Sequence, residues 1–290
     1  LGDVVEKAIH FLDNVIDVNR FPLPQIAAKT MEYRKIGLGV MGFAEALILM
    51  GIRYDSKDGL RFGEKLMKFI SQRAREMSVE LGEIRGSFPA FEKTVWAKKF
   101  GAMRNATVTT IAPTGTISII AGTTSGIEPL FAVAFVRRVL EGTTLLEINQ
   151  AFEKIARERG FYSKDLMLKI ARTGSIQNIE EIPEDVKEIV RTALDIDPEW
   201  HVKMQAAFQK YTDNAVSKTI NMRPDASIDD VKKAYLLAYE LGCKGITIYR
   251  YGSKGEQVLY VGPLLKGELE KYVSVAPEYA GGCPGSVCVH

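Results

Sequence analysis

Cysteine and histidine are scarce in this chain, and those shortages narrow its possible roles before any motif is considered. Three cysteines in 290 residues, Cys243, Cys283 and Cys288, do not make a secreted disulfide framework. The expected compartment is therefore the cytoplasm. The three histidines, His10, His201 and His290, stand far apart, with none of the spacings at which imidazoles share a metal, and no metal site is expected. His10 and His201 fall within helical patterns, where a packed or solvent-facing imidazole is the ordinary role. No run of about 18 apolar residues occurs; IGLGVMGFAEALILMGI comes nearest and carries Glu45 and four glycines, so no membrane partner is expected. An excess of one charge is missing too. Lys and Arg number 38 against 36 Asp and Glu, a balance too even to demand nucleic acid. The opening LGDVVEKAIHFLD has no initiating Met and no signal-peptide apolar stretch. It begins inside an amphipathic pattern, as a piece of a longer protein would.

What is present reads as an ordinary globular chain, 46% hydrophobic and 26% charged. Residues 56–82 predict a long amphipathic helix with Ser56 as cap and Gly82 as stop. TVTTIA (107–112) and AVAFVRR (132–138) read as strands. Helices are expected at 143–159, closed by Gly160, at 183–194, opened by Pro183, and at 198–211, opened by Pro198. VSKTINM (216–222), a helix from Ser227 to Gly242, and KGITIYR (244–250) form a strand–helix–strand unit with tight connections. Those two strands should be parallel neighbours. The fold class is α/β with an excess of helix, and periodicity leaves open a barrel or an open sheet.

Four segments carry candidate chemistry. GLGVMG (37–42) matches the dinucleotide fingerprint by letter, but MEYRK precedes it instead of a hydrophobic strand. Its glycines are read as letting a neighbouring helix pack closely. APTGTIS (112–118) has a better context, since a strand enters it and a helix-forming run leaves it. The first N–H groups of a helix lack internal partners and welcome an anion, and Gly115 keeps a Cβ out of its way. Thr114, Thr116 and Ser118 can add hydroxyl donors. No Walker lysine follows. A phosphate cradle and a plain capped turn both remain open. Cys283-Pro-Gly-Ser-Val-Cys288 can close on itself for dithiol exchange, or be two unrelated thiols in a frayed end. Tyr249 and Arg250 end a strand, where they could face a ligand crevice or simply cap it.

Taken together, RKIGLGVMGFAEAL, RNATVTTIAPTGTISIIAGTTSGIEPLFA, MQAAFQKYTDNAVSKTINM and ELGCKGITIYRYGS resemble the large catalytic subunit of ribonucleotide reductase. Among its classes the adenosylcobalamin-dependent class II enzymes are the nearest likeness. The resemblance implies a ten-stranded α/β barrel built from two five-stranded parallel halves, of which this chain would be the C-terminal part. It implies that Pro113, Thr114, Gly115, Thr116 and Ile117 hold the substrate ribonucleotide's phosphates through backbone N–H groups. It also implies radical chemistry that replaces the ribose 2′-hydroxyl with hydrogen, the radical starting from cobalamin homolysis. Cys283 and Cys288 match the C-terminal dithiol that receives electrons from thioredoxin or glutaredoxin. Residues 1–265 would then belong to the barrel and 266–290 to a flexible redox tail, in a subunit that forms a homodimer when complete.

One departure is plain. No Asn-x-Cys-x-Glu occurs, so the radical cysteine, its neighbours and the allosteric site would precede Leu1. The chain alone is expected to be inactive and to need the N-terminal part of the same subunit. Cys243, in ELGCKG, is read as a packed small hydrophobe. Class I enzymes, which use a separate metallosubunit, place two adjacent tyrosines at the strand end matching TIYRY, and here Arg250 separates Tyr249 from Tyr251. Class I, or a non-catalytic nucleotide-binding or assembly module derived from the reductase, are the alternatives to class II.

Overall fold

The N-terminal pattern forms helix α1 (Gly2–Val18), which buries Val5, Ile9, Asp13 and Ile16 along one face. The structure, a computed structural model, describes residues 1–138 and 144–253; the expected redox tail, with Cys283, Cys288 and His290, lies outside the described residues. Pro24 opens α2 (Pro24–Tyr33), where a proline's missing N–H costs nothing. FAEALIL forms α3 (Phe43–Leu49), and α4 (Lys57–Arg85) runs for 29 residues against α1. As expected, Ser56 caps α4, its hydroxyl accepting from Gly59 N at 3.0 Å. The expected stop at Gly82 is overrun, and the helix ends at Gly86 in the left-handed half of backbone space, φ 85°. Gly82 serves packing instead, since a Cβ there would stand 2.6 Å from Met103 N.

A short helix, α5 (Gly115–Ala121), follows the first candidate loop. Strands β1 (Ala134–Arg138) and β2 (Thr144–Ile148) pair antiparallel, with Ala134 opposite Ile148. This corrects the helix expected at 143–159. The helical spacing of its apolar residues also fits an extended strand, and β1 supplies the hydrogen-bonding partner. The helix proper, α6 (Gln150–Glu158), starts where the Asn149 side chain accepts from Phe152 N at 3.0 Å. Helix α7 (Lys164–Thr173) is capped by Ser163, and α8 (Glu184–Ile189) stops short of the expected 194. The chain leaves α8 because Thr192 bridges in parallel to Leu130 and Ala193 N donates to Leu130 O at 2.7 Å. Then come α9 (Pro198–Gln209), β3 (Thr219–Met222), α10 (Ile228–Glu240) and β4 (Thr247–Arg250). Strands β3 and β4 are parallel across α10, as expected, with Thr219 opposite Thr247 and Met222 opposite Arg250.

Residues 107–111 lie extended between parallel partners on both sides, without a continuous ladder. Leu38 N donates to Val108 O at 2.8 Å and Thr110 N to Leu38 O at 3.0 Å; on the other side Ser217 N donates to Ile111 O at 2.8 Å. The array thus runs from 36–38 through 107–111 and 215–217 to β3 and β4. The GLGVMG glycines serve this array rather than a helix contact. A Cβ on Gly39 would fall 2.1 Å from Thr110 O, so the two backbones approach this closely only without a side chain. Three apolar clusters surround the array: one joins α1, α3, α4 and α9, one lies around α6 and α7, and one lies between β3 and α10.

Candidate functional site

The 107–111 segment delivers the chain to Pro113, which has no N–H and is exposed. Thr114 then turns left-handed, φ 52° and ψ 26°, which is uncommon for a residue with a Cβ. A hydrogen bond holds it there, its Oγ1 accepting from Gly126 N at 2.7 Å. The next intrahelical bond runs from Ser118 N to Thr114 O at 2.9 Å. The amides of Gly115, Thr116 and Ile117 therefore precede the first internal bond of α5, on residues that are all exposed. A Cβ at Gly115 would meet no atom within 4 Å, so open space lies before these amides. Ser118 departs from expectation. Its hydroxyl donates to Gly115 O at 3.0 Å and lies 2.8 Å from Ser125 Oγ, so it fastens the turn and is no free donor.

Anchors outside the loop fix its return limb. Gly42 N donates to Thr124 O at 2.8 Å, and the Thr123 hydroxyl donates to Glu45, which also accepts from Asn149 Nδ2 at 2.7 Å. The Tyr54 hydroxyl donates to Ile127 O at 2.7 Å. Glu128 closes the limb onto β3, accepting from Thr219 N at 2.6 Å through Oε1 and from Lys218 Nζ at 2.6 Å through Oε2.

Lys218 is fully buried, and its ammonium donates to Glu128, to Thr219 O and to His201 Nδ1, the last at 2.8 Å. Three donors meet three acceptors. Burial depresses the Lys218 pKa, and the Glu128 charge opposes that shift. Because an ammonium only donates, His201 Nδ1 accepts, and Nε2–H donates to Ala193 O at 2.9 Å. Burial, then the Lys218 charge, hold the His201 pKa well below its ordinary value, so the ring is neutral. In the unfolded chain it protonates near pH 6.5; folding excludes that proton, so stability falls as pH drops below about 6.5. Urea midpoints measured from pH 7.5 to 5 are expected to fall less steeply for His201→Gln, whose amide preserves both hydrogen bonds. The difference is at most about 1.4 kcal/mol per pH unit. Equal slopes would show that His201 does not titrate this way.

Tyr249 and Arg250 sit on β4 opposite Asn221 and Met222, separated from the 107–111 segment by β3. They therefore share the parallel array with the loop without adjoining it in register. Cys243 is half-buried against the cluster of Ile220, Met222, Ala234 and Ala238, and burial raises its thiol pKa, which suits a packing role. Sequence reasoning passed over Glu128 and Lys218. A signal for Lys218 was present, because Val216, Lys218, Ile220 and Met222 alternate on one buried strand face. A lysine in that register has to be paired.

The described residues thus form a helix-rich α/β array of parallel segments with an exposed turn at the exit of an extended segment. Residues 1–103 and 97–249 match the family described as the ribonucleotide reductase barrel domain, and the chain belongs to that family. It is 50% identical over 99% of its length to a vitamin B12-dependent ribonucleoside-diphosphate reductase of Thermoplasma acidophilum. A protein so described from Mycobacterium tuberculosis is 46% identical over 99% of the chain. The chain spans 39% and 40% of the length of these two relatives. Among solved structures, the alpha subunit of the Actinobacillus ureae class Id ribonucleotide reductase superposes with a TM-score of 0.72 at 25% identity. That match covers 86% of this chain and 46% of the other.

Proposed function

We propose that this chain is the substrate-phosphate part of a class II ribonucleotide reductase, which converts ribonucleotides to 2′-deoxyribonucleotides. One observation carries the reading: three exposed amides stand ahead of the first bond of α5, behind a left-handed Thr114, in a chain of this family. The amides of Gly115, Thr116 and Ile117 grip the phosphate oxygens, the Thr116 hydroxyl adds a donor, and Pro113 and Thr114 set the approach of the chain. Class II is favoured over class I by the 50% identity to a relative named for vitamin B12 and by Arg250 standing between Tyr249 and Tyr251.

The cofactor of this reading is adenosylcobalamin, which supplies the starting radical when bound. No residue of this chain is assigned to holding it. Removal of the 2′-hydroxyl as water consumes two electrons, which a pocket dithiol in the N-terminal part gives up by becoming a disulfide; Cys283 and Cys288 reduce that disulfide by exchange and are themselves re-reduced by thioredoxin or glutaredoxin.

The remaining barrel strands and the radical cysteine come from the N-terminal part of the same subunit, completing a ten-stranded barrel in a homodimer. Exposed isoleucines on α5, Ile117, Ile119 and Ile120, support a covering partner there. No helix among the described residues is long and apolar enough to cross a membrane, and the proposed location is the cytoplasm. The test combines the chain with that N-terminal part, a ribonucleotide, adenosylcobalamin and a dithiol. Deoxyribonucleotide is the expected product. Correctly folded material that makes none refutes the assignment, and activity that ignores cobalamin but needs a second protein replaces it with class I.

A further inference from the structure

We infer that Glu128 and Lys218 are positioning residues that hold the 113–127 loop in its anion-binding shape, an inference that rests on the phosphate reading above. The loop is one excursion whose ends meet. Gly126 N is bound to Thr114 Oγ1, and a Cβ on Gly126 would lie 3.1 Å from Ala112 O. The conformation of Thr114, which aims the three amides, therefore depends on where Gly126 stands. Gly126 stands two residues before Glu128, and Glu128 is pinned to β3 by two short bonds, from Thr219 N and from Lys218 Nζ.

The pair is built to be rigid. The Lys218 side chain has no exposure and no spare donor, since His201 Nδ1 and Thr219 O take the donors that Glu128 leaves. His201 is in turn fixed by Ala193 O, in the segment that bridges to Leu130 just beyond Glu128. A fully satisfied buried ammonium contributes little net stability over an apolar pair of similar volume, but it defines one geometry for the carboxylate. Lys218 is sealed from solvent and both Glu128 oxygens are engaged within the protein, so both are positioning residues. Their effect passes through Gly126 and Thr114.

Stability and positioning separate in the double substitution Glu128→Met with Lys218→Met. An apolar pair keeps the interior filled but leaves Thr219 N, Thr219 O and His201 Nδ1 without these partners, so the melting temperature falls by several degrees while circular dichroism shows the fold retained. The clamp is gone, and calorimetric affinity of the full chain for inorganic pyrophosphate falls about tenfold, the scale of one lost charge-assisted bond. A purely structural role predicts unchanged affinity at any temperature where the variant is folded. Glu128→Asp serves if the double variant does not fold. It keeps the charge one methylene short of both donors, and its affinity falls in the same direction by a smaller factor. Wild-type affinity in the folded double variant, or in the Asp variant, overturns the inference. Gly115→Val is the control: if it too binds pyrophosphate like the wild type, the phosphate reading itself fails; if it alone loses affinity, only the clamp is wrong.

Discussion

Valine at position 115 lowers the affinity for a nucleoside diphosphate by about a hundredfold, or roughly 2.7 kcal/mol, within the range of a single charge-assisted hydrogen bond at about 1.5–3 kcal/mol. The fold survives. A Cβ at 115 meets no protein atom within 4 Å, and the position has no left-handed backbone to strain. Helix propensity does not oppose the change, since glycine is a poorer helix former than valine. On the proposed reading the phosphate enters the space that is empty of protein, so an isopropyl group there crowds the amides of Thr116 and Ile117. Calorimetric titration with circular dichroism as the folding control makes the measurement. Unchanged affinity in a folded variant would remove the loop from the substrate site.

The largest expected loss of stability lies elsewhere, at Asp13. This carboxylate is fully buried in α1 and accepts from Arg34 Nε and Nη2 at 3.0 and 2.8 Å, from Asn105 Nδ2 at 3.0 Å and from Arg104 Nε at 3.2 Å. Burial acts to raise its pKa, but the hydrogen bonds from Arg34, Asn105 and Arg104 outweigh burial and lower it. Arg34 is itself buried, in a left-handed conformation at the end of α2, φ 44°, tied down by this contact. Asp13→Ala strands that guanidinium and is expected to cost about 3–5 kcal/mol. A domain's whole stability is about 5–15 kcal/mol. Asp17→Ala removes a half-exposed partner of the same arginine and should cost under about 1 kcal/mol. Urea midpoints decide the matter, and equal small losses at 13 and 17 would mean that the cluster is solvated. Because the Asp13 pKa is lowered on folding, its contribution is intact above about pH 3.9 and fades as pH falls through the folded value.

How far residue patterns reach is visible in particular elements. Ser56, Ser163 and Ser227 each accept from the amide three positions on. Such caps are local chemistry, readable wherever a short polar side chain precedes an amphipathic run. The parallel pairing of 219–222 with 247–250 also followed from spacing, since a helix between two close strands leaves little other connection. Residues 144–148 failed as a helix because an apolar run has no period of its own until a partner strand chooses one. Gly82 and Gly39 were misjudged for a related reason. Each is set by a backbone distant in sequence, Met103 in one case and Thr110 in the other.

Local sequence settled the caps and the strand–helix–strand unit, because each depends on residues close to one another in the chain. Family membership was legible too, since its segments are long and continuous. The left-handed Thr114, the register of the extended segments and the Glu128–Lys218–His201 cluster depended on packing. They join residues 12, 17 and 90 positions apart, and contacts of that range exist only once folding has brought the segments together and burial has removed water.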